Sequence, residues 1–342
     1  MRIIGGFFIN THYRMSNSKK YGGLKSFEPT KQLNENGFKY KSWNNRVYPP
    51  FFNSEAIDEL KSTWNTDEND IFICTHQKVG THLTKKFVCE VLRSAIDYPQ
   101  INGIKSGDIG HDTIPWPEVM VSQHGINHFR DHLKATKGLP RVWYTHCSMH
   151  DLPFRFVHEK TRFIHVFRDP RAVFVSQFFF YRSHPMLGVS QDLTYDDFLN
   201  LFIGGNLYFG DYHEHTLEWI NGCGGKIPKD NLLVLRYEDL VEKKIESVKI
   251  LAKFLLTDNK LNENQLESIA ASTEFSTMKK EITENPQSFH FNPQNFFRSG
   301  KCFDWMEKLN FQQISKIDIK TKSLWGTNNL GYPVLSDIKT LY

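Results

Sequence analysis

Two strand-to-helix junctions constrain this chain more than any other feature in it. Ile71–Leu83 reads IFICTHQKVGTHL and Phe163–Ser176 reads FIHVFRDPRAVFVS. In each, a short apolar run, the pattern of a strand buried on both faces, enters a charged turn and then a helix. A strand that delivers a cation and helix N-terminal amides to one spot makes an anion site. Two such spots predict a ligand with two separated phosphate groups.

The rest of the chain supplies a sheet to carry them. Apolar runs at Arg141–Thr145, Arg162–Phe167 and Asn231–Leu235 predict further strands, each followed by a polar turn. Helical periodicity appears at Thr81–Ile96, Pro170–Tyr181, Tyr195–Phe202, Asp211–Asn221 and Ile245–Leu256. Ser54–Thr63 reads as a helix capped by Ser54, and Gly125–Leu133 as a short helix inside the long loops of Ile101–Lys137. Strands alternating with helices give an α/β fold, a single domain with a central parallel sheet flanked by helices. Residues 1–45, rich in Asn, Lys, Gly and Ser, read as an irregular or partly disordered N-terminal arm, and 46–342 as the one domain.

Composition narrows the function. A net charge of +4 is too weak to imply nucleic-acid binding. The 28 Phe read mainly as core, with a share left for an aromatic-lined pocket. Cys74, Cys89, Cys147, Cys223 and Cys302 are odd in number and lack paired spacing, the pattern of reduced thiols and not of a zinc site. No run approaches the roughly 20 apolar residues of a membrane span. These features predict a soluble, cytoplasmic protein with no membrane and no nucleic-acid partner.

At the first junction, Gly80 allows close backbone approach, Thr81 and His82 present amides, and Lys78 adds a full charge. The nucleotide P-loop G-x-x-x-x-G-K-[ST] does not fit, because the lysine precedes the glycine by two and no earlier Gly completes it. At the second, Asp169 is an N-cap, Pro170 occupies the first helical position, and Arg168 ends the strand. Ser176 lies two turns along that helix.

With these motifs the chain resembles a cytosolic-type sulfotransferase, the family that uses 3′-phosphoadenosine 5′-phosphosulfate (PAPS). The family's Y-P-K-S-G-T-T-W loop corresponds to His76–Leu83, and its R-[ND]-P-[KR]-D-x-x-V-S segment to Arg168–Ser176. Y-E-D-[LM] stands as Tyr237-Glu238-Asp239-Leu240, and T-S-F-x-x-M-K as Thr273 to Lys279. R-K-G-x-x-G-D-W appears as Arg298 to Trp305. The order and spacing agree from about Phe51 to Phe311.

The resemblance implies a P-loop-like 5′-phosphosulfate loop of Lys78, Val79, Gly80, Thr81 and His82, acting largely through backbone amides. It implies a 3′-phosphate site of Arg168, Ser176, Arg298, Ser299 and Gly300, and an adenine slot of Tyr237, Thr273 and Phe275. PAPS would be the co-substrate and PAP the product, with no metal. His146 aligns with the family's general base, Lys78 would stabilise the leaving phosphate, and Ser176 would restrain Lys78 until the acceptor arrives.

The departures are specific. Leu83 stands where the family has an adenine-stacking Trp, and Ser299 where it has Lys, with Lys301 a possible substitute. The family's K-T-H reads Tyr144-Thr145-His146. The C-terminal dimer segment is not recognisable, so the oligomeric state stays open. A catalytically idle PAP/PAPS-binding module is the competing reading, supported by Leu83 and Ser299. A nucleotide-dependent phosphotransferase is disfavoured by the failed P-loop match.

Around the base, His150 is the rival to His146. His124, His128 and His132 share four-residue spacing but read as a polar pocket wall, not as metal ligands. Asp108, Asp112, Glu118 and Asp151 could meet a cationic acceptor, though they read first as solvated surface acids. The expected partner is a small-molecule acceptor presenting a hydroxyl or amine, plausibly a secondary metabolite, bound by Ile101–His132, Tyr181–Tyr195 and the loop before Arg298.

Overall fold

The computed structural model describes residues 33–95, 100–105, 113–184, 187, 189–256, 261–284, 298 and 300–326. Four parallel strands form the central sheet: β1 (Asp70–Thr75), β2 (Arg141–Thr145), β3 (Arg162–Phe167) and β4 (Leu232–Arg236), in the order β2-β1-β3-β4. Side chains alternate across the sheet, so each strand feeds two cores. Phe72, Cys74, Trp143, Phe163, Phe167 and Val234 enter a large aromatic-rich core on one face. Ile71, Ile73, Val142, Ile164, Val166 and Leu233 enter an aliphatic core on the other. The continuous apolar runs seen in the sequence are this two-sided burial, which confirms the α/β architecture.

The helices are α1 (Ser54–Thr63), α2 (Thr81–Arg93), α3 (Pro117–Ala135), α4 (Pro170–Ser183), α5 (Tyr195–Ile203), α6 (Tyr212–Ile220), α7 (Tyr237–Glu242), α8 (Lys244–Leu255), α9 (Glu263–Ser272), α10 (Phe275–Glu284) and α11 (Phe311–Trp325). Helices α2, α8 and α9 cover the aliphatic face, and α4, α5, α6 and α11 the aromatic one. None of the helices among the described residues is long and apolar enough to cross a membrane.

Three sequence expectations need correction. Helix α1 is capped by Asn53, whose side chain accepts from the Ala56 amide, and Ser54 is already helical. The span α3 is two helical pieces that meet at a kink, where Gly125 takes φ 79° and ψ 167°; the short helix expected near Gly125–Leu133 is the second piece, and the first, which opens at Pro117, was read as loop. The arm boundary at residue 45 also falls inside ordered packing. Leu33, Phe38 and Trp43 are buried in the aromatic core, and Lys41–Trp43 pairs with Arg46–Tyr48 as an antiparallel hairpin. Residues 1–32 lie outside the described residues.

A buried ion pair fixes the entry to β1. Arg141 donates from Nε and Nη2 to the two carboxylate oxygens of Asp70 at 2.7 and 2.9 Å, and Trp143 Nε1 adds a third bond at 2.8 Å. Burial pushes the Asp70 carboxyl upward against the pull of these donors. Replacing Asp70 by Ala leaves the guanidinium buried without its acceptor. The expected cost is about 3–5 kcal/mol of unfolding free energy, read from urea denaturation.

Candidate active site

Strand register brings the two junctions together. Thr75 at the end of β1 pairs with Val166 on β3, so the turn carrying Lys78 and the one carrying Arg168 leave the sheet side by side. On the other flank Cys74 pairs with Thr145, which sets His146 next to Thr75. The crevice outside the carboxyl ends of parallel strands is where an α/β sheet binds its ligand. There, one cavity of about 870 Å³ is lined by Lys78, Gly80, Thr81, His82, Leu83, His146, Arg168, Ser176, Tyr237, Thr273, Phe275, Arg298 and Gly300. Almost every residue singled out in the sequence therefore meets in one place.

Two are exceptions. Val79 packs its side chain into the aromatic core with none of it exposed, so only its backbone can serve the loop. Ser299 lies outside the described residues. Lys301, its suggested substitute, is exposed and does not line the cavity.

The two junctions touch directly. Arg168 Nη1 donates to the Lys78 carbonyl at 3.1 Å, and the guanidinium lies 4.2 Å from the centre of the Tyr237 ring. The Arg168 backbone is held on both sides by Tyr212, whose hydroxyl accepts from the Arg168 amide at 2.8 Å and donates to its carbonyl at 2.5 Å. Asp169 caps α4 through the Arg171 amide, as expected, and also binds the Arg171 side chain.

The turn between β1 and α2 is shaped for close approach. Gly80 has φ +104°, and a Cβ there would sit 2.4 Å from Tyr237 Cδ2. Only glycine meets both conditions. Gly300 repeats the arrangement at φ +66°, where a Cβ would lie 2.6 Å from the Phe275 ring. Both aromatic rings thus press against bare backbone, with Leu83 and Thr273 in the same wall.

The cations are concentrated. Lys78 sits at φ 68°, and its ammonium lies 4.7 Å from the centre of the Phe180 ring. Burial, followed by the charges of Arg168 and Arg298, pulls the Lys78 ammonium down to about 7. Arg298 stacks over Phe179 at 4.9 Å and forms an ion pair with Asp304. Three cations driven together against their own repulsion are what a polyanion site requires.

His146 occupies the other side of the cavity. Its Nδ1 lies 2.8 Å from the Thr75 carbonyl, an atom that can only accept, so Nδ1 carries the proton and Nε2 keeps its lone pair. Trp116 and Phe209 pack edge-on to the imidazole at 4.9 and 5.3 Å. Burial pulls the imidazole down to about 3, outweighing the hydrogen bond that raises it, and nearby Lys85 and Lys78 push the same way. His150, the rival base, is exposed and does not line the cavity, and its carbonyl receives Lys61 Nζ at 2.9 Å.

Several contributors were not legible beforehand. Phe180 beneath Lys78, Trp116 beside His146 and the buried Lys85 carry no motif; a Trp between Pro115 and Pro117 was the one local hint. Glu118 and Asp151 are not solvated surface acids. Glu118 is wholly buried and accepts from the Thr145 hydroxyl; burial raises its carboxyl to about 7. Asp151, also buried, accepts from the Tyr48 hydroxyl at 2.9 Å and pairs with Arg46. Asp108 and Asp112 lie outside the described residues. His124 and His128 lie tilted against each other at 5.0 Å on the cavity wall while His132 packs edge-on against Trp143. Among the described residues no three His, Cys, Asp or Glu side chains gather as metal ligands.

Comparison with known proteins agrees with this geometry. The family described as "Sulfotransferase domain" matches residues 68–327. Sulfotransferase 6B1 of Danio rerio is 31% identical over 265 residues, covering 77% of this chain and 80% of that protein. The 3-beta-hydroxysteroid sulfotransferase of Cavia porcellus is 25% identical over 286 residues, covering 82% and 91%. Among solved structures, mouse sulfotransferase SULT7A1 complexed with PAP superposes with a TM-score of 0.64 at 23% identity, over 85% of this chain and 96% of that one. Retinol dehydratase in complex with androsterone and PAP gives 0.67 at 19% identity, over 91% and 97%. On the family match across most of its length, the chain belongs to the sulfotransferase family and is a PAPS-dependent sulfotransferase.

Proposed function

We propose that the cavity transfers a sulfuryl group from PAPS to a hydroxyl or amine of a small molecule, with His146 as general base and Lys78 opposite the leaving phosphate. The observation that carries this reading is the pairing of a three-cation cluster with a neutral, oriented imidazole in one cavity. An idle binding module has no use for the second half of that arrangement.

The residues present fit the nucleotide. At Gly80 and Gly300 the missing Cβ lets the Tyr237 and Phe275 rings close on the backbone, so each candidate phosphate loop sits directly against a ring that could face the adenine. The loop Lys78–His82 would hold the 5′-phosphosulfate through the amides at the start of α2. Arg168, Ser176, Arg298 and Gly300 would hold the 3′-phosphate, the two guanidiniums as forks. Tyr237 and Phe275, with Leu83 and Thr273, would enclose the adenine. Leu83 brings apolar area but no ring face, so stacking on that side is weaker than with Trp.

PAPS supplies an activated sulfur–oxygen bond. The protein supplies the rest. His146 Nε2 takes the acceptor proton, and the Nδ1 bond to Thr75 keeps that tautomer in place. Lys78 lies where charge grows on the phosphate, an electrostatic role. Phe51, Ile114, Trp116, Val119, Met120 and Leu187 form an apolar acceptor chamber beside His146. Such walls suit a largely apolar body carrying one nucleophilic group, in line with relatives named for steroids. The cysteines Cys74, Cys89, Cys147 and Cys302 are free and buried, which supports a reducing, cytoplasmic setting.

Three outcomes check the assignment. His146→Ala lowers turnover of an apolar alcohol acceptor about 10²–10⁴-fold while PAP affinity, measured by calorimetry, stays near that of the parent. Arg168→Ala does the reverse, weakening PAP about 10- to 100-fold. PAP binding also responds to pH through Lys78, which titrates at about 7 before the ligand arrives. Below that pH the ammonium is already charged and binding moves no proton there. Above it, the anion restores the charge, so binding takes up a proton and affinity falls as pH rises. Calorimetry in two buffers of different ionisation enthalpy reads the uptake, and a pH-independent affinity from 6 to 9 would remove Lys78 from the phosphate site.

A further inference from the structure

Beside the proposed base stands a buried cation that the reading above does not use. Lys85, on the first turns of α2, is 3% exposed and lines the cavity, and its ammonium lies 4.2 Å from the centre of the Tyr144 ring. That ring in turn meets the His146 imidazole edge-on at 5.8 Å. Lys85 follows Thr81 by four, so it stands one helical turn beyond the amides that open α2, on the same side of the helix.

We propose that Lys85 is a catalytic cation of the transfer centre, supplying positive charge to the sulfuryl oxygens from helix α2. The proposal rests on the PAPS reading above.

Two features separate its task from that of Lys78. The Lys78 ammonium rests on the Phe180 ring at 4.7 Å, in the turn that Arg168 touches, whereas the Lys85 ammonium rests on the Tyr144 ring at 4.2 Å, and that ring meets His146 edge-on at 5.8 Å. Both line the one cavity with His146, held by different rings. In the reaction the bond from the acceptor oxygen to sulfur forms and the bond from sulfur to the 5′-phosphate oxygen breaks. The electron pair of the broken bond stays on the phosphate, and the acceptor proton passes to His146 Nε2. A cation beside His146, away from the nucleotide phosphates, faces the group in transit. Burying an ammonium against an aromatic ring is costly and is retained where its charge is used.

The test compares PAP with PAPS as ligands, since they differ by the sulfuryl group alone. Calorimetry at low temperature, without acceptor, measures both on Lys85→Met. PAP affinity within about twofold of the parent, with PAPS weakened about tenfold, is the expected result. Equal weakening of both overturns the proposal and moves Lys85 to the nucleotide phosphates. No change in either also overturns it, leaving Lys85 to the acceptor or to packing. Failure of the parent to bind PAP would instead remove the PAPS reading itself. Moving the charge to β2, in Lys85→Met with Tyr144→Lys, restores the preference for PAPS and most of the lost kcat; a folded double variant without recovery counts against the proposal. Lys85→Gln serves for the same comparison if the methionine variant does not fold.

Discussion

The guanidinium of Arg168 is the contact on which the site depends. It donates to the Lys78 carbonyl, sits over the Tyr237 ring, and is carried by a backbone that Tyr212 holds from both sides. One side chain thereby ties the loop after β1, the loop after β3 and the helix after β4. The parallel register of the strands is what makes this possible, because Thr75 and Val166 are direct neighbours. A slip in that register would carry Lys78 and Arg168 past each other and divide one anion cavity into two charged turns.

The same contact sets the electrostatics. Burial, and after it the charges of Arg168 and Arg298, depress the affinity of Lys78 for a proton, so the site holds its charge at a cost. Rings absorb part of that cost: Phe180 under Lys78, Phe179 under Arg298 and Tyr237 under Arg168. Two of the Phe residues, Phe179 and Phe180, are thus the floor of a cation cluster. Their apolar faces keep water out while their π-electrons favour the positive charge.

Much of the fold and half of the site were legible from sequence, for a physical reason. Buried parallel strands need unbroken apolar runs, and anion loops need glycine, a cation and a helix start at fixed offsets; both are local patterns. Asp169 and Pro170 mark the start of α4 without any knowledge of its neighbours. What stayed hidden is non-local. Asn53 and Ser54 are both competent caps, and only the entry geometry of α1 decides between them. The helical piece of α3 before the Gly125 kink was hidden, because Pro, Gly and His blur the pattern there. Glu118 and Asp151 look like any other surface acids until the strands that bury them are assembled.

Glu118 shows how the acceptor side is held to the chemistry. It sits in the first turn of α3, the helix that presents Val119, Met120, His124 and His128 to the cavity. Its carboxyl accepts from the Thr145 hydroxyl, and the Thr145 oxygen accepts in turn from the Cys147 amide at 3.0 Å. Both neighbours of His146 are therefore anchored to the wall against which the acceptor lies. Burial raises the Glu118 carboxyl to about 7, toward the neutral form that a dry interior favours. Thr75 fixes the imidazole from the β1 side, and Trp116, one residue before α3, closes over it. His146, the proposed base, is thus positioned from the Lys78 side and from the apolar side of the cavity together, the arrangement a two-substrate displacement in line would require.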